Sequence, residues 1–174
     1  KARPFFLWIH LYDPHEPYEP PEPYRSRHRN RPYDAEVEYT DALVGELRTA
    51  LEERELFERS IFAVTGDHGE GLGEHGEMFH GYFVYDSTMH VPLIVRLPDG
   101  EGGGRRSNAA VSHVDLAPTL LDLLGVESHD QFQGASLAPI LAGGTLDEER
   151  AVYGESFYPL LHYGWAPVRS LRTE

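Results

Sequence analysis

An aspartate and a histidine stand side by side directly after a short apolar run of the chain. The run covers residues 60–65, and Asp67 and His68 follow it in a Gly-Asp-His-Gly-Glu segment. In open α/β sheets, ligands gather beyond the carboxyl ends of strands, and glycines permit the sharp turn that brings both side chains to one cation. The pair therefore indicates a divalent metal site. The alternative is that Asp67 caps the turn and His68 is a buried, hydrogen-bonded histidine.

A glycine-rich loop with two histidines, His75 and His80, follows this pair at residues 73–81. A histidine beside a metal ion can bind an anionic ester oxygen or protonate a leaving group. One interpretation is therefore that these histidines, His80 among them, have a catalytic or substrate-binding role. The alternative is that both histidines are solvated surface groups. The glycines do not form a nucleotide-binding pattern, because no Gly-x-Gly-x-x-Gly or Walker sequence opens a helix here.

A third cluster lies near the start of the chain, where His10 and His15 flank Asp13. It also follows an apolar run, residues 5–9, and then turns at a proline. One interpretation is that His10 and His15 contact an anionic substrate or form a second metal site. The other is a surface loop shaped by prolines, in which the histidines are incidental.

The pattern of apolar residues predicts the elements that position these side chains. Strands are expected at residues 5–9, 60–65, 91–97 and 151–157, and helices at 34–53, 115–124 and 137–141. Residues 13–32 hold six prolines and should form an extended loop. Strands that alternate with helices favour an α/β fold with a mainly parallel sheet flanked by helices.

The 34–53 helix is predicted to be amphipathic. Its apolar residues near one face are Val37, Leu43, Val44, Leu47 and Leu51, whereas Glu36, Glu38, Glu46 and Arg48 fall elsewhere. In the 115–124 helix, His113 and Asp115 are expected at the start, where an aspartate stabilises the helix dipole.

Composition excludes several functions. The 174 residues carry a formal net charge of −14, which argues against nucleic-acid binding because such binding requires basic surface. With no cysteine there is no disulfide framework, thiolate metal site or cysteine nucleophile in these residues, and the compartment stays open. No signal peptide or membrane-spanning run is present in the sequence. Both ends look cut, so we expect one piece of a longer single domain.

Five segments in order resemble the sulfatase family of the alkaline-phosphatase-like superfamily. They are residues 6–18 (FLWIHLYDPHEPY), 65–70 (TGDHGE), 81–95, 111–125 and 134–137. The resemblance implies an alkaline-phosphatase-like fold, present here as the carboxyl-terminal part of the catalytic domain. It also implies metal-dependent hydrolysis of a small-molecule or glycan sulfate ester.

The resemblance also implies roles for individual residues. Asp67 and His68 are the second pair of metal ligands, and His15 contacts the sulfate or phosphate group. Many family members have asparagine in place of His68 and bind calcium, whereas histidine is similar to members in which manganese is expected. Magnesium and zinc are further candidates for the ion. His80 stands where the family often has a lysine that bridges the ester oxygen and the nucleophile.

The family's nucleophile lies in a Cys- or Ser-x-Pro-x-Arg motif, oxidised to formylglycine, that these residues lack. The first metal-binding acidic pair is absent too. We therefore expect both in the amino-terminal half of the same domain, and we expect this chain alone to be inactive. Three functions stay open: sulfate ester hydrolysis, phosphate or phosphonate ester hydrolysis (or phosphoglycerol transfer) on the same fold, and a binding module without catalysis. The 13–32 loop and the 153–165 segment are expected to line the substrate entrance.

Overall fold

The computed structural model describes residues 3–146 and 150–173. The chain divides into two compact units, Lys1–Phe57 and Glu58–Glu174. The described part of the first unit contains helices, and that of the second contains helices and two pairs of antiparallel strands. Within the described ranges, no helix has both the length and the apolar character needed to cross a bilayer.

The first unit is built around one long helix. Helix α1 spans Tyr24–Arg27, and helix α2 spans Pro32–Glu52. The prediction of a helix over residues 34–53 is confirmed. Proline at the start of α2 supplies a preset φ where no amide donor is needed. The prediction of a wholly extended loop before α2 is wrong at α1, where Pro23 stands just outside the first turn and blocks no helical hydrogen bond.

Glu36 is buried within α2, although its pattern placed it away from the apolar face. Glu36 is only 2% exposed. Its carboxylate accepts hydrogen bonds from the backbone amides of His15 (3.0 Å) and Glu19 (2.6 Å). Burial raises the pKa of the Glu36 carboxyl, although these two bonds oppose the rise. Val37, predicted to face the core, is 44% exposed. Hydrophobic periodicity could not anticipate this, because Glu36 is buried to satisfy amides of a distant loop.

The predicted first strand, residues 5–9, does not form. Phe6 and Trp8 are 80% and 81% exposed, and the segment has no ladder of strand hydrogen bonds. A strand requires a neighbour, and the described residues of the first unit contain no other strand. The prediction is therefore wrong for this chain, although the apolar composition is typical of a strand.

The second unit begins with the strand that precedes the Asp-His pair. Its elements, in chain order, are β1 (Phe62–Thr65), α3 (Asp86–Met89), β2 (Leu93–Arg96), α4 (Leu116–Leu123), α5 (Ala138–Leu141), β3 (Ala151–Ser156), α6 (Tyr158–Tyr163) and β4 (Val168–Thr173). The predicted strands at 60–65, 91–97 and 151–157 and the predicted helices at 115–124 and 137–141 are confirmed.

The strands pair antiparallel, so the predicted parallel pairing is wrong for the described part of the chain. In β1 and β2, Thr65 lies opposite Leu93 and Phe62 opposite Arg96; β3 and β4 also run antiparallel. Parallel neighbours require a crossover, usually a helix that packs on the sheet. The connection from β1 to β2 contains only one four-residue α-helix, so the chain returns beside β1 in the opposite direction.

A buried aspartate organises the start of α4. Asp115 is fully buried, and its carboxylate accepts hydrogen bonds from the amides of Ser112 (2.7 Å) and Ala135 (2.9 Å) and from the Arg150 guanidinium. Its backbone carbonyl accepts from Thr119 at 2.6 Å. Asp115 therefore ties the helix start to two separate loops, which is more than the dipole role expected from its position.

Candidate active site

Asp67 and His68 lie where predicted, just beyond the last residue of β1. The His68 Nδ1 atom is 2.8 Å from the carbonyl oxygen of Gly69. A carbonyl only accepts, so Nδ1 carries the hydrogen and the lone pair of the neutral ring is on Nε2. The Asp67 Oδ1 atom accepts from the His68 amide at 3.0 Å, and Oδ2 lies 3.8 Å from His68 Nε2. An anionic oxygen and an imidazole lone pair thus lie close together.

This pair fits a divalent cation. One ion touches two donor atoms only when their separation is below the sum of the two metal–ligand distances, which is about 4.2 Å for zinc-like ions and larger for calcium. The observed 3.8 Å is below that limit. Within residues 3–146 and 150–173 no group of three histidine, aspartate or glutamate side chains is arranged to hold an ion. Two donors of this kind are too few for a complete metal site.

His80 is brought to the same place by the glycine-rich loop. Its ring centroid lies 3.9 Å from that of His68, and the two rings are inclined by 31°. His80 Nδ1 lies 3.2 Å from Oε1 of Glu70, whose side chain is 5% exposed. Three predicted residues, Asp67, His68 and His80, therefore form one cluster. Glu70 belongs to this cluster too. No local pattern indicated this, because Glu70 meets His80 only when the loop folds back.

Gly69 allows the segment that carries Asp67 and His68 to lie against α3. Its amide donates to the Thr88 carbonyl oxygen at 2.8 Å, and a Cβ at this position would collide with the carbonyl oxygen of Ser87. Neither Gly66 nor Gly69, both in the described range, has a positive φ. The glycine at position 69 is therefore required for close approach, whereas the sequence suggested a need for a sharp turn.

The Gly69→Ala variant should destabilise the protein by about 1–3 kcal/mol, because backbone atoms around Ser87 must move to admit the methyl group. Denaturant unfolding of the full-length protein measures this. Gly45→Ala is the matched control, since a Cβ at Gly45 in α2 meets no atom within 4 Å. The control should unfold at the same denaturant concentration as wild type or slightly higher. Equal destabilisation of both variants would contradict the close-approach explanation.

His113 contacts the backbone that precedes Asp67 and His68. Its Nε2 atom lies 2.7 Å from the carbonyl oxygen of Gly66 and 3.4 Å from the Thr65 hydroxyl. His113 was expected only at a helix start, and its distance along the chain from Gly66 left no local pattern to detect. The contact connects the end of β1 to the loop organised by Asp115.

The aromatic segment 156–165 packs against the loop immediately after His80. The Ser156 hydroxyl donates to the Gly81 carbonyl oxygen, and the Tyr158 ring lies 4.9 Å from the Tyr82 ring. The Tyr82 and Tyr163 hydroxyls are 2.9 Å apart, and this hydrogen bond is the main cause that raises the pKa of Tyr82 to about 12. The Tyr82 phenol is therefore neutral at physiological pH and acts as a hydrogen-bonding group.

His10 and His15 belong to the first unit. His10 is exposed. The His15 ring stacks on Tyr12 with centroids 4.5 Å apart, and its Nδ1 lies 2.6 Å from the Glu16 carbonyl oxygen. Because the His15 amide donates to Glu36, the backbone at this histidine is fixed from α2. No pattern in the sequence indicated this hydrogen bond.

Curated sulfatases are similar in sequence to this chain. N-acetylglucosamine-6-O-sulfatase of Bacteroides thetaiotaomicron is 40% identical over 136 residues, which are 76% of this chain and 24% of the relative. Arylsulfatase K of Homo sapiens is 37% identical over 120 residues, 69% of this chain and 22% of the relative. The chain thus spans about a quarter of the length of these curated relatives.

Solved structures also superpose on this chain. A structure described as a complex with its substrate D-glucosamine-2-N,6-O-disulfate superposes with a TM-score of 0.72 at 35% identity, over 82% of this chain and 29% of that chain. Phosphonate monoester hydrolase from Silicibacter pomeroyi superposes with a TM-score of 0.72 at 28% identity, over 82% of this chain and 30% of that chain. The predicted alkaline-phosphatase-like α/β class, present as part of a domain, is confirmed.

A family model described as Sulfatase matches residues 1–126 of the 174. The match includes the Asp67-His68 pair and the loop that carries His80. The chain belongs to the sulfatase family.

Proposed function

We propose that the full-length protein containing this chain hydrolyses sulfate esters, and that Asp67 and His68 supply two ligands of its divalent metal ion, calcium or manganese. The observation that supports this most directly is the 3.8 Å separation of Asp67 Oδ2 and His68 Nε2, with His68 Nδ1 bound to the Gly69 carbonyl. When bound, the ion would neutralise negative charge on the sulfate oxygens. It would also reverse locally the repulsion that an acidic chain exerts on an anionic substrate.

His80 is the candidate for proton transfer. Its ring lies against that of His68, which supports a role for His80 beside a metal-bound ester. A histidine there can hold a hydrogen on the atom facing the leaving oxygen and donate it as the ester bond breaks. His15 and His10 are proposed to contact the sulfate group, following the family resemblance of the segment that carries them.

The proposed substrate class is a sulfated amino sugar. The relative with 40% identity is an N-acetylglucosamine-6-O-sulfatase, and a solved neighbour binds a disulfated glucosamine. Segment 156–165 lies beside the loop that follows His80 and presents Tyr163 and Trp165, which are 50% and 57% exposed. Aromatic rings that also carry polar groups suit a surface that is apolar on one side and wet on the other.

A second candidate is phosphonate monoester hydrolysis. The Silicibacter pomeroyi enzyme superposes as well as the glucosamine-disulfate complex does, each with a TM-score of 0.72. The fold therefore does not separate the two reactions, and an aspartate-histidine pair with a metal ion suits either anion.

A substrate panel tests the proposal. We expect the full-length protein with Mn²⁺ or Ca²⁺ to cleave N-acetylglucosamine 6-sulfate or an aryl sulfate at least tenfold faster, by kcat/KM, than an aryl phosphonate monoester. The reverse ratio would favour the second candidate, and no turnover of any ester would contradict both. The 174-residue chain alone is the control. Because no nucleophile of the expected kind is among its residues, clear sulfate turnover by this chain would contradict the assigned roles.

A further inference from the structure

Glu70 is a buried acid next to the proposed proton donor, and the proposed function gives it no task. Its side chain is 5% exposed. Its Oε1 atom lies 3.2 Å from His80 Nδ1 and 3.3 Å from the Gly71 amide. A carboxylate is seldom buried without paired donors, because desolvation of the charge is costly. The buried Glu70 carboxylate therefore needs hydrogen-bond donors, and the fold brings the His80 ring close enough to be one of them.

Other groups already shape the backbone around His80. Glu77, only 4% exposed, accepts hydrogen bonds through Oε1 from the amides of Tyr82 (2.8 Å) and Phe83 (3.3 Å). The Gly71 amide donates to the Phe79 carbonyl oxygen at 2.8 Å. These bonds fix the loop on both sides of His80 without the Glu70 side chain. Glu70 therefore acts on the imidazole ring more than on the loop.

The contact selects one orientation of that ring. A carboxylate oxygen only accepts, so the hydrogen it binds must be on Nδ1 of His80. Nε2, at the opposite edge of the imidazole, then faces away from Glu70. When the ring carries hydrogen on both nitrogens, it gives up the Nε2 hydrogen to the leaving oxygen and is left neutral, with hydrogen on Nδ1. The His68 ring, 3.9 Å away, limits rotation on one face. Together, the carboxylate and the neighbouring ring define both the tautomer and the direction of Nε2.

We propose that Glu70 is a positioning residue that holds the His80 imidazole through its Nδ1 hydrogen, so that Nε2–H donates its proton to the leaving oxygen of the ester. This inference rests on the proposed function of His80 and goes beyond it in assigning a residue that acts through His80. Glu70 itself does not contact the substrate.

A double-mutant cycle on the full-length protein tests the inference. With a sulfate ester, Glu70→Ala should lower kcat about 10- to 100-fold with little change in KM, within the range that one proton-transfer group contributes. In the His80→Ala background, the same substitution should change kcat less than about twofold. Glu70→Gln should recover part of the activity, because the amide oxygen can still accept from Nδ1. Glu74→Ala, an exposed acid of the same loop, should match wild type.

A second readout does not depend on turnover. In the protein labelled with ¹⁵N-histidine, NMR should show His80 with hydrogen on Nδ1 in wild type and a mixture of tautomers in Glu70→Ala. Metal titration should give the same affinity for both proteins. An equal loss of kcat from Glu70→Ala in both backgrounds, a lower metal affinity or an unchanged tautomer would each overturn the inference. If wild type cleaves no sulfate ester, the proposed function fails, and the tautomer measurement still decides whether Glu70 orients His80.

Discussion

The double variant Asp67→Asn, His68→Ala should lose divalent metal binding and sulfate ester hydrolysis together. In wild type, Asp67 Oδ2 and His68 Nε2 lie 3.8 Å apart, and we propose that both bind the metal ion. Substitution of groups that merely support metal ligands costs about 10- to 100-fold in affinity or activity. Removal of two ligands should therefore lower metal affinity, and kcat/KM with it, by more than about 100-fold.

Calorimetric titration of the full-length protein with Mn²⁺ and Ca²⁺ measures the affinity directly. The chain offers a matched control in His129 and Asp130, another adjacent histidine and aspartate, which are exposed and lie outside the cluster. His129→Ala, Asp130→Asn should bind metal as wild type does. Wild-type affinity in the Asp67-His68 double variant would exclude the pair as ligands. Absence of binding in wild type would favour a binding module without metal.

Asp115→Ala should destabilise the protein by about 3–5 kcal/mol at pH 7, because it leaves one partner of a buried ion pair uncompensated. Asp115 is 0% exposed, and the side chain of its partner Arg150 is 19% exposed. The substitution also removes the acceptor for the Ser112 and Ala135 amides. Denaturant unfolding of the full-length protein measures the change.

The effect should depend on pH. Burial alone would raise the pKa of Asp115, but hydrogen bonds from Arg150, Ser112 and Ala135 outweigh it and lower the pKa below its usual value of 3.8. The folded state then binds the proton less tightly than the unfolded state does. The stabilisation is therefore present above the unfolded-state pKa and is lost as the pH falls through the folded-state pKa. The difference between wild type and Asp115→Ala should shrink below about pH 4.

Asp122→Ala controls for loss of a carboxylate on the same helix. Asp122 is exposed, and its carboxylate accepts from the Ser136 hydroxyl at 2.5 Å. A hydrogen bond at the surface contributes little, so the free energy of unfolding should fall by no more than about 1 kcal/mol. A similar loss in both variants, or a constant Asp115→Ala effect from pH 7 to pH 3, would contradict the role of the buried pair.

The sequence predicted the elements whose signals are local. Helix α2 was expected at 34–53 and spans Pro32–Glu52, because helical periodicity and the proline at its start are read within one segment. The apolar run before Asp67 became β1 for the same reason. The apolar run did not indicate whether β1 would pair with a parallel or an antiparallel strand, since such a run has the same composition in both kinds of sheet.

In the candidate site, too, some features follow from the local sequence and others only from the tertiary structure. The sequence by itself determined that Asp67 and His68 follow a strand and that His80 lies in a glycine-rich loop, because motif and strand end are adjacent along the chain. Only the tertiary structure decided that Glu70 reaches His80 and that His113 reaches the Gly66 carbonyl oxygen. It also decided that Glu36 is buried beneath His15. Each of these contacts joins segments that are separated in sequence, and a buried polar group is placed by the partner that satisfies it, which the chain brings near only on folding.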